Sequence, residues 1–353
     1  MQMKKKALFA AARFAAVLLL SAALVLFSGA DPLQAVKTFF FGVFGTAHGF
    51  AEVFVRATPL MLLGLGVAIT FRSGFFNLGA EGQLYIGALA STAAALFLPE
   101  SLGALRLPLA ALAAFLAGGL WVLVPAWMKS RLGISETVNT IMFNYIAVMI
   151  VGISIRGVLQ EPGSSLPQSA AIPAELTLPQ ILYPTRLHAG TILAIAAVFL
   201  VWFLLYKTTL GFEMQMVGYS KRAALCTGLS VPRSLILSAV VGGGLAGLAG
   251  FNEVFGVQYR LLEGVSGGNG YTAILVALLA FNRPVRVMLV SIGLAALQVG
   301  AATMQRTLGI PSSIVSIIIG FIVLMILCGE LPEIWAETRG LLGRKGRVSA
   351  HVE

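Results

Sequence analysis

Charged side chains are scarce in this sequence, and their scarcity excludes an ordinary soluble domain. Asp, Glu, Lys and Arg together make up 11% of the 353 residues, 58% of the residues are hydrophobic, and the mean hydropathy is +0.92. Soluble globular chains carry about 25% charged residues. We therefore expect most of this chain to lie within a lipid bilayer.

Cysteine and histidine are also rare, which removes several kinds of chemistry. The two cysteines, Cys226 and Cys328, are far apart in sequence, so neither a disulfide framework nor a metal site is predicted. The sequence has no His-Glu-x-x-His pair, and the glycine run at residues 241–250 lacks the Gly-Lys-Ser/Thr of a phosphate loop. We predict no catalytic residue and no metal ligand. If the protein pumps, its energy comes from another chain or an ion gradient.

Long apolar segments dominate what is present. A helix needs roughly 20 apolar residues to cross a bilayer. Ten segments approach this length with their flanks: residues 7–28, 58–71, 84–98, 107–128, 138–155, 190–206, 235–255, 270–281, 287–302 and 313–328. Backbone polar groups must be paired within lipid, so these segments must be helical. The sequence predicts an all-α integral membrane protein with about ten transmembrane helices and one transmembrane domain over residues 1–353.

The positive charges predict the orientation. With the N-terminus in the cytoplasm, 17 of the 24 Lys and Arg residues fall on the inner side and 7 on the outer side, the bias expected of cytoplasmic loops. Both termini are then cytoplasmic, and two five-helix halves face opposite ways. The net charge of +10 reflects topology and not nucleic-acid binding. The first segment also resembles a signal peptide, and its cleavage would break the even count.

Polar residues cluster where the third segment begins, in "SGFFNLGAEGQLYIGALAS" at residues 73–91. Read as one helix, Asn77, Glu81 and Tyr85 share a face, and Gln83 points elsewhere. A charged residue inside a bilayer costs about 2.5–3.5 kcal/mol on insertion scales and usually faces a cavity or a partner. Either Glu81 is solvated near Arg72 at the headgroups, or the segment is a broken helix that enters a translocation path.

A similar pattern begins the eighth segment, "SGGNGYTAILVALLAF" at residues 266–281. Both stretches have Ser-Gly, then Asn, then Gly before an apolar run. Short or glycine-interrupted segments at corresponding positions of two halves indicate a pathway near the membrane midplane. This favours the path interpretation and adds Asn269 and Tyr271 to the candidates.

Two further polar groups lie at helix ends and within a helix. Asn252 and Glu253 end the seventh segment, either as an interfacial helix end or as a gate that meets an external binding protein. Asn139, Asn144 and Tyr145 lie in the fifth segment, where we expect hydrogen bonds between helices.

The loops differ in character. Residues 206–233 form a cytoplasmic loop, in which we expect a short helix, Gly218, and a second short helix over Lys221–Cys226. Ser220 can cap the second helix and Gly228 can end it. This loop is either a docking element or an interfacial helix on anionic lipid. The proline-rich loop at 156–188 is expected across the outer surface, and the tail at 329–353 in the cytoplasm, with a short helix around 333–342.

Three stretches resemble the permease subunits of bacterial ABC importers for branched-chain amino acids, ribose-type sugars and nucleosides. "SGFFNLGAEGQLYIGA" is similar to the group's F-N-[IL]-G-x-E-G-Q segment. "MVGYSKRAALCTGLSVPRSLILSAVVGGGLAGLAG" is similar to its coupling loop and the glycine-rich span that follows. "GYTAILVALLAFNRPVRVML" is similar to G-x-x-x-I-x-V-A-L-L-G-x-x-x-P, although Ala280 and Phe281 stand where the group usually has glycine. The coupling loop also departs, with Gln215, Met216 and Val217 before Gly218 and Tyr219 after it.

The resemblance implies a type II importer fold in the bacterial cytoplasmic membrane and a nucleoside as solute, with a simple sugar or a branched-chain amino acid as alternatives. It implies an ATP-binding subunit that uses ATP and Mg²⁺ (no cofactor in this chain), a second, non-identical permease, and an extracytoplasmic substrate-binding lipoprotein. The candidate path residues are Asn77, Glu81, Gln83, Tyr85, Asn252, Glu253, Asn269 and Tyr271. The candidate ATPase-coupling residues are Glu213, Gly218, Lys221, Arg222, Ala223, Ala224 and Gly228. From other classes, an ion-coupled transporter or channel using Glu81 and Glu253, or a membrane scaffold, stays open.

Overall fold

The computed structural model describes residues 19–311, 313–314, 316–321 and 323–325, and the regular structure in these residues is helical. The helices are α1 (Leu19–Phe27), α2 (Pro32–Phe44), α3 (Ala47–Arg72), α4 (Ala80–Phe97), α5 (Arg106–Leu132), α6 (Glu136–Ile155), α7 (Gly190–Lys207), α8 (Thr209–Tyr219), α9 (Lys221–Cys226), α10 (Val231–Asn252), α11 (Asn269–Leu279), α12 (Pro284–Leu308) and α13 (Ser316–Met325). Residues 47–296 form one compact unit, and the described residues among 1–46 and 297–353 form another.

The predicted multi-pass helical architecture is confirmed, while the number of spans stays a prediction. Six helices are long and apolar enough to cross a bilayer, namely α3, α5, α6, α7, α10 and α12. A seventh span results if α1 and α2, which are bent by 105°, are counted together. Much of the predicted first segment, part of the last one and the whole tail at 329–353 lie outside the described residues.

Two helices differ from the sequence prediction at the start of the chain. No helix was predicted between the first two segments, yet α2 forms there because Asp31 caps it, accepting from the Leu33 N–H at 3.0 Å, with Pro32 at its first position. The helix α3 begins at Ala47 and not at residue 58. Its first turns contain Glu52 and Arg56, which form an i,i+4 ion pair at 3.1 Å and interrupt the apolar pattern without interrupting the helix.

Helix α10 lies at the centre of the unit formed by residues 47–296 and packs against α3, α4 and α5 through glycines. A Cβ on Gly242 would lie 2.6 Å from the Gly66 carbonyl oxygen of α3, and one on Gly243 would lie 2.6 Å from that of Gly118 in α5. Gly87 of α4 likewise packs against the backbone of Gly247. Small residues allow this close approach of membrane helices, so the glycine run of α10 serves packing.

The loop at residues 156–188 is irregular, as predicted, apart from a 3₁₀ turn at Ala174–Leu176. It is fixed to the chain that follows α10, where a π-helical turn runs over Glu253–Gln258. The backbone N–H groups of Ser169, Ile172 and Leu178 donate to the carbonyls of Leu261, Tyr259 and Phe255, each at 2.9 Å. The loop therefore satisfies backbone acceptors that the end of this helix leaves free.

The other unit has its own small core, described here for residues 19–46, 297–311 and the described part of α13. Val25 and Ala35 pack with Ala301, Met304 and Ile310. Phe40, Phe41 and Phe44 of α2 are exposed. An exposed aromatic face on a helix of a membrane protein suits contact with lipid.

Candidate functional site

The third predicted segment does not start as a helix. Residues 73–79, called the break below, separate α3 from α4, and Gly74 has a φ of +76°. Asn77 lies in the break, and its Oδ1 accepts from the Gly79 N–H at 2.9 Å. The prediction that Asn77, Glu81 and Tyr85 share one helical face is therefore wrong for Asn77, because an Asn that bonds its own backbone favours a turn over a helix.

Asn77 instead pairs with Gln83 in the first turns of α4. Its Nδ2 donates to Gln83 Oε1 at 3.1 Å, and Gln83 Nε2 donates back to Asn77 Oδ1 at 3.0 Å. Both side chains are 1% exposed. Gln83 makes different contacts from Glu81 in the same helix, in keeping with the prediction that the two point different ways, but the predicted separation of Gln83 from Asn77 is wrong, because it assumed one uninterrupted helix. The two amides satisfy each other where neither can reach water.

Helix α6 forms hydrogen bonds with the end of the break and with the first turn of α4. The Asn144 carboxamide accepts from the Gly82 N–H at 2.8 Å and donates to the Leu78 carbonyl at 3.0 Å. Thr140 Oγ1 accepts from the Leu78 N–H at 3.2 Å. The predicted interhelical hydrogen bonding is confirmed for Asn144, which satisfies backbone groups that a broken helix leaves unpaired.

Glu81 joins α4 to α11. Its Oε2 accepts from Ser266 Oγ and from the Gly270 N–H, both at 2.8 Å, and the residue is 6% exposed. A carboxylate at the first turn of α11 suits the free N–H groups and the positive end of that helix. The alternative in which Glu81 is solvated near Arg72 is wrong, since Glu81 is buried and Arg72 Nη1 bonds Gln215 at 2.7 Å.

The two similar segments of the sequence thus meet directly. We call Asn77, Glu81, Gln83, Asn144, Ser266 and Gly270 the polar junction. Tyr85, one turn beyond Glu81, is 6% exposed and lies near the Ser266 backbone, whereas Tyr271 is 46% exposed and lies near Asn144. Asn269 is the first residue of α11 and is half-buried. The amides and the carboxylate of the junction form hydrogen bonds within the protein, and Tyr271, which lies beside the junction, is more accessible than any of them.

Asn252 and Glu253 belong to a different cluster. Asn252 ends α10, is 1% exposed, and lies against Gly190 at the start of α7. His188 is beside them, with Nδ1 accepting from the Gly190 N–H at 3.2 Å. Among the described residues, neither amide atom of Asn252 nor Nε2 of His188 has a hydrogen-bond partner. Burial lowers the pKa of His188 to about 4, so the ring is neutral at pH 7.

Charged side chains lie close to this second cluster. Glu52 forms ion pairs with Arg56 at 3.1 Å and with Arg186 at 2.7 Å, and Glu253 lies near all three. Glu253 is 9% exposed and takes part in none of the ion pairs of the described residues. The sequence did not single out His188 or Arg186, because both lie in an irregular loop without periodicity.

The candidate coupling residues lie on α8 and α9. The predicted helix Lys221–Cys226 is confirmed, with Ser220 Oγ accepting from the Ala223 N–H at 3.3 Å, and Gly228 follows it with a φ of +78°. Gly218 does not separate the two helices, since it lies within α8. A side chain there would overlap the Arg72 carbonyl of α3, so this glycine serves a close approach and not a turn.

Exposure divides the candidate coupling residues. Ala224 is fully buried and Glu213 is half-buried. The exposed members are Gly218, Lys221, Arg222, Ala223 and Gly228. Two large hydrophobic side chains lie beside these residues and were not predicted as coupling residues. Tyr219 is 86% exposed and Leu225 is 61% exposed. An exposed aromatic beside exposed cations is typical of an interaction surface.

Comparison with known proteins gives a consistent set of matches. The family described as branched-chain amino acid transport system / permease component matches residues 49–327. The guanosine ABC transporter permease protein NupP of Bacillus subtilis is 36% identical over 309 residues, covering 86% of this chain and 88% of that protein. The glucose ABC transporter permease protein TsgB13 of Haloferax volcanii is 36% identical over 310 residues, covering 85% and 81%. The nucleoside ABC transporter permease protein NupB of Lactococcus lactis is 31% identical over 325 residues, covering 90% and 89%. No solved structure matches this chain.

Proposed function

This chain belongs to the branched-chain amino acid transport system / permease component family, and on that premise we propose that it is the membrane-spanning subunit of an ATP-driven nucleoside importer. Family membership confirms the resemblance found in the three sequence stretches and a role in transport, not in catalysis. The proposal that the solute is a nucleoside rests on the 36% identity to a guanosine permease over 86% of this chain. Equal identity to a glucose permease keeps a simple sugar as the second candidate.

We further propose that the chain crosses the bacterial cytoplasmic membrane about ten times, as two inverted halves with both termini inside. In this arrangement α4 and α11 correspond to each other, and their starts meet through Glu81, Ser266 and Gly270. Alternating access would move the polar junction, and the cluster of Asn252, Glu253 and His188, relative to the solute. A path lined by neutral amides and tyrosines suits a polar, uncharged solute such as a nucleoside.

The partners follow from the same proposal. Helices α8 and α9 would contact an ATP-binding subunit through Tyr219 and Leu225, with Lys221 and Arg222 at the rim. That subunit would bind and hydrolyse ATP with Mg²⁺, and this chain would hold no cofactor. A second, non-identical permease and an extracytoplasmic substrate-binding lipoprotein would complete the importer.

A bulky substitution on the coupling surface tests this proposal. Ala223→Trp changes an exposed residue of α9, and Ala174→Trp changes an exposed residue of the loop at 156–188 as the matched control. We expect Ala223→Trp to abolish both co-purification of the ATP-binding subunit and ATP-dependent guanosine uptake at unchanged protein yield, and Ala174→Trp to keep co-purification. Unchanged uptake by Ala223→Trp without any ATP-binding subunit would instead support an ion-coupled transporter using Glu81 and Glu253.

A further inference from the structure

The break lies directly against the helices proposed to contact the ATP-binding subunit. A side chain on Gly218 of α8 would overlap the carbonyl of Arg72, and a Cβ on Gly74 would lie 3.4 Å from Gly218 Cα. No side chain separates the two backbones at this crossing. A displacement of α8 would therefore press on the start of the break without being absorbed by a flexible group.

Polar contacts also hold the end of α3 against α7 and α8. Arg72 Nη1 donates to Gln215 Oε1 at 2.7 Å, and its guanidinium lies 5.1 Å from the ring centre of Tyr206. Gln215 Nε2 in turn donates to the Leu205 carbonyl at 2.6 Å. On the other side, the Ser73 and Ser238 hydroxyls are 2.6 Å apart, which ties the break to α10.

Phe75 is the largest fully buried side chain of the break. It is fully buried in a cluster that includes Val217 of α8, Ala224 of α9, and Leu235 and Ala239 of α10. Interiors packed at this density have low compressibility, so a large ring held by α8, α9 and α10 follows their movement. Two residues later the same backbone carries Asn77.

The far end of the break sets the position of the polar junction. Asn77 pairs with Gln83, and Leu78 is held by Asn144 and Thr140 of α6. In the first turn of α4, Glu81 holds the start of α11. A shift of the break would thus reach the first turns of both short helices.

We propose that residues 73–79 are the mechanical link that carries movement of α8 and α9 to the starts of α4 and α11, with Phe75 as the positioning residue. The link rests on the proposed function, because the ATP-binding subunit supplies the movement. Phe75 contacts neither the solute nor that subunit in this account. Its role is to keep uptake coupled to ATP hydrolysis.

Phe75→Ala tests the link in the complete importer, with radiolabelled guanosine as the probe. We measure co-purification of the ATP-binding subunit, ATP hydrolysis, and guanosine taken up per ATP hydrolysed. We expect assembly and hydrolysis to persist while uptake per ATP falls about tenfold, a size that positions between coupled sites can reach. Ile155→Ala, which empties an equally buried position at the end of α6, should leave uptake per ATP unchanged.

Milder variants keep the proposal testable if Phe75→Ala does not fold. Phe75→Leu should lower uptake per ATP by a smaller factor, and Val217→Ala should act non-additively with it, because both side chains belong to one buried cluster. Wild-type uptake per ATP in an assembled Phe75→Ala or Phe75→Leu importer would overturn the link. A wild-type chain that binds no ATP-binding subunit would contradict the proposed function instead, so the two failures are distinguishable.

Discussion

Replacing Glu81 tests whether this residue holds α4 and α11 together or only binds the solute. Its Oε2 accepts two hydrogen bonds at 2.8 Å from donors on the α11 side, and the residue is 6% exposed. Glu81→Ala would leave the Ser266 hydroxyl and the Gly270 N–H buried without this acceptor. Each unsatisfied buried donor costs about 1–3 kcal/mol, so for the two donors we expect a loss of about 2–6 kcal/mol in the free energy of unfolding.

Two further variants calibrate this prediction. Glu81→Gln keeps an acceptor oxygen of the same reach and loses only the charge assistance, so it should cost about 1–2 kcal/mol. Glu263→Ala removes a carboxylate whose ion pair with Arg156, at 2.7 Å, is about half exposed, and should cost less than about 1 kcal/mol.

The measurement is denaturant or thermal unfolding of the detergent-solubilised chain, followed in parallel by guanosine uptake. We expect the order of stability to be wild type and Glu263→Ala above Glu81→Gln, and Glu81→Gln above Glu81→Ala. A Glu81→Ala protein as stable as the wild type would refute the assigned holding role. If that protein were also inactive in uptake, Glu81 would be a solute ligand alone, and wild-type uptake would favour the scaffold alternative.

Three other predictions concern packing, hydrogen bonding and pH. Gly247→Ala should destabilise the chain by more than about 1 kcal/mol, since its Cβ would overlap the backbone of α5. The control Gly293→Ala places its Cβ in open space and should be neutral or stabilising. Equal unfolding midpoints for the two variants would contradict the close packing of α5 against α10. Asn77→Ala and Gln83→Ala should each be destabilising, with a coupling energy of about 1 kcal/mol or more in a double-mutant cycle, and additive losses would argue against the reciprocal pair. His188 has a folded-state pKa of about 4, below its ordinary value of 6.5. The stability that the neutral ring contributes is therefore fully present above about pH 6.5, and it falls by up to about 3 kcal/mol as the pH drops to about 4. A His188→Gln protein whose unfolding midpoint has the same pH dependence as that of the wild type would contradict this.

Local sequence patterns predicted the elements whose signals are themselves local. Ser220 before Lys221–Cys226 is an N-cap pattern, and the structure places the cap and the helix there. The brevity of α11 followed from its glycines and its short apolar run. The residue that follows V-A-L-L, Ala280, ends α11 with a φ of −82°, so the backbone there does not require the glycine usual in the family; the left-handed backbone begins one residue later, at Phe281, with a φ of +52°.

Contacts between distant residues were not predictable from periodicity. Glu81 meets Ser266 and Gly270 only because α4 and α11 are brought together by packing around α3 and α10. Asn77 was placed on the wrong face because a single non-helical stretch before α4 changes the direction of every residue on its N-terminal side. Phe75 carries no polar or periodic signal, and its role is visible only in the cluster that buries it.

The central claim, ATP-driven nucleoside import through this chain, is tested most directly in proteoliposomes. They would contain this chain with its second permease, its ATP-binding subunit and its substrate-binding lipoprotein, and the measured quantity is the accumulation of labelled guanosine. We expect accumulation only with ATP, inhibited by excess unlabelled nucleoside and not by glucose or leucine. Accumulation without ATP under an ion gradient, or full inhibition by glucose and none by nucleosides, would contradict the account.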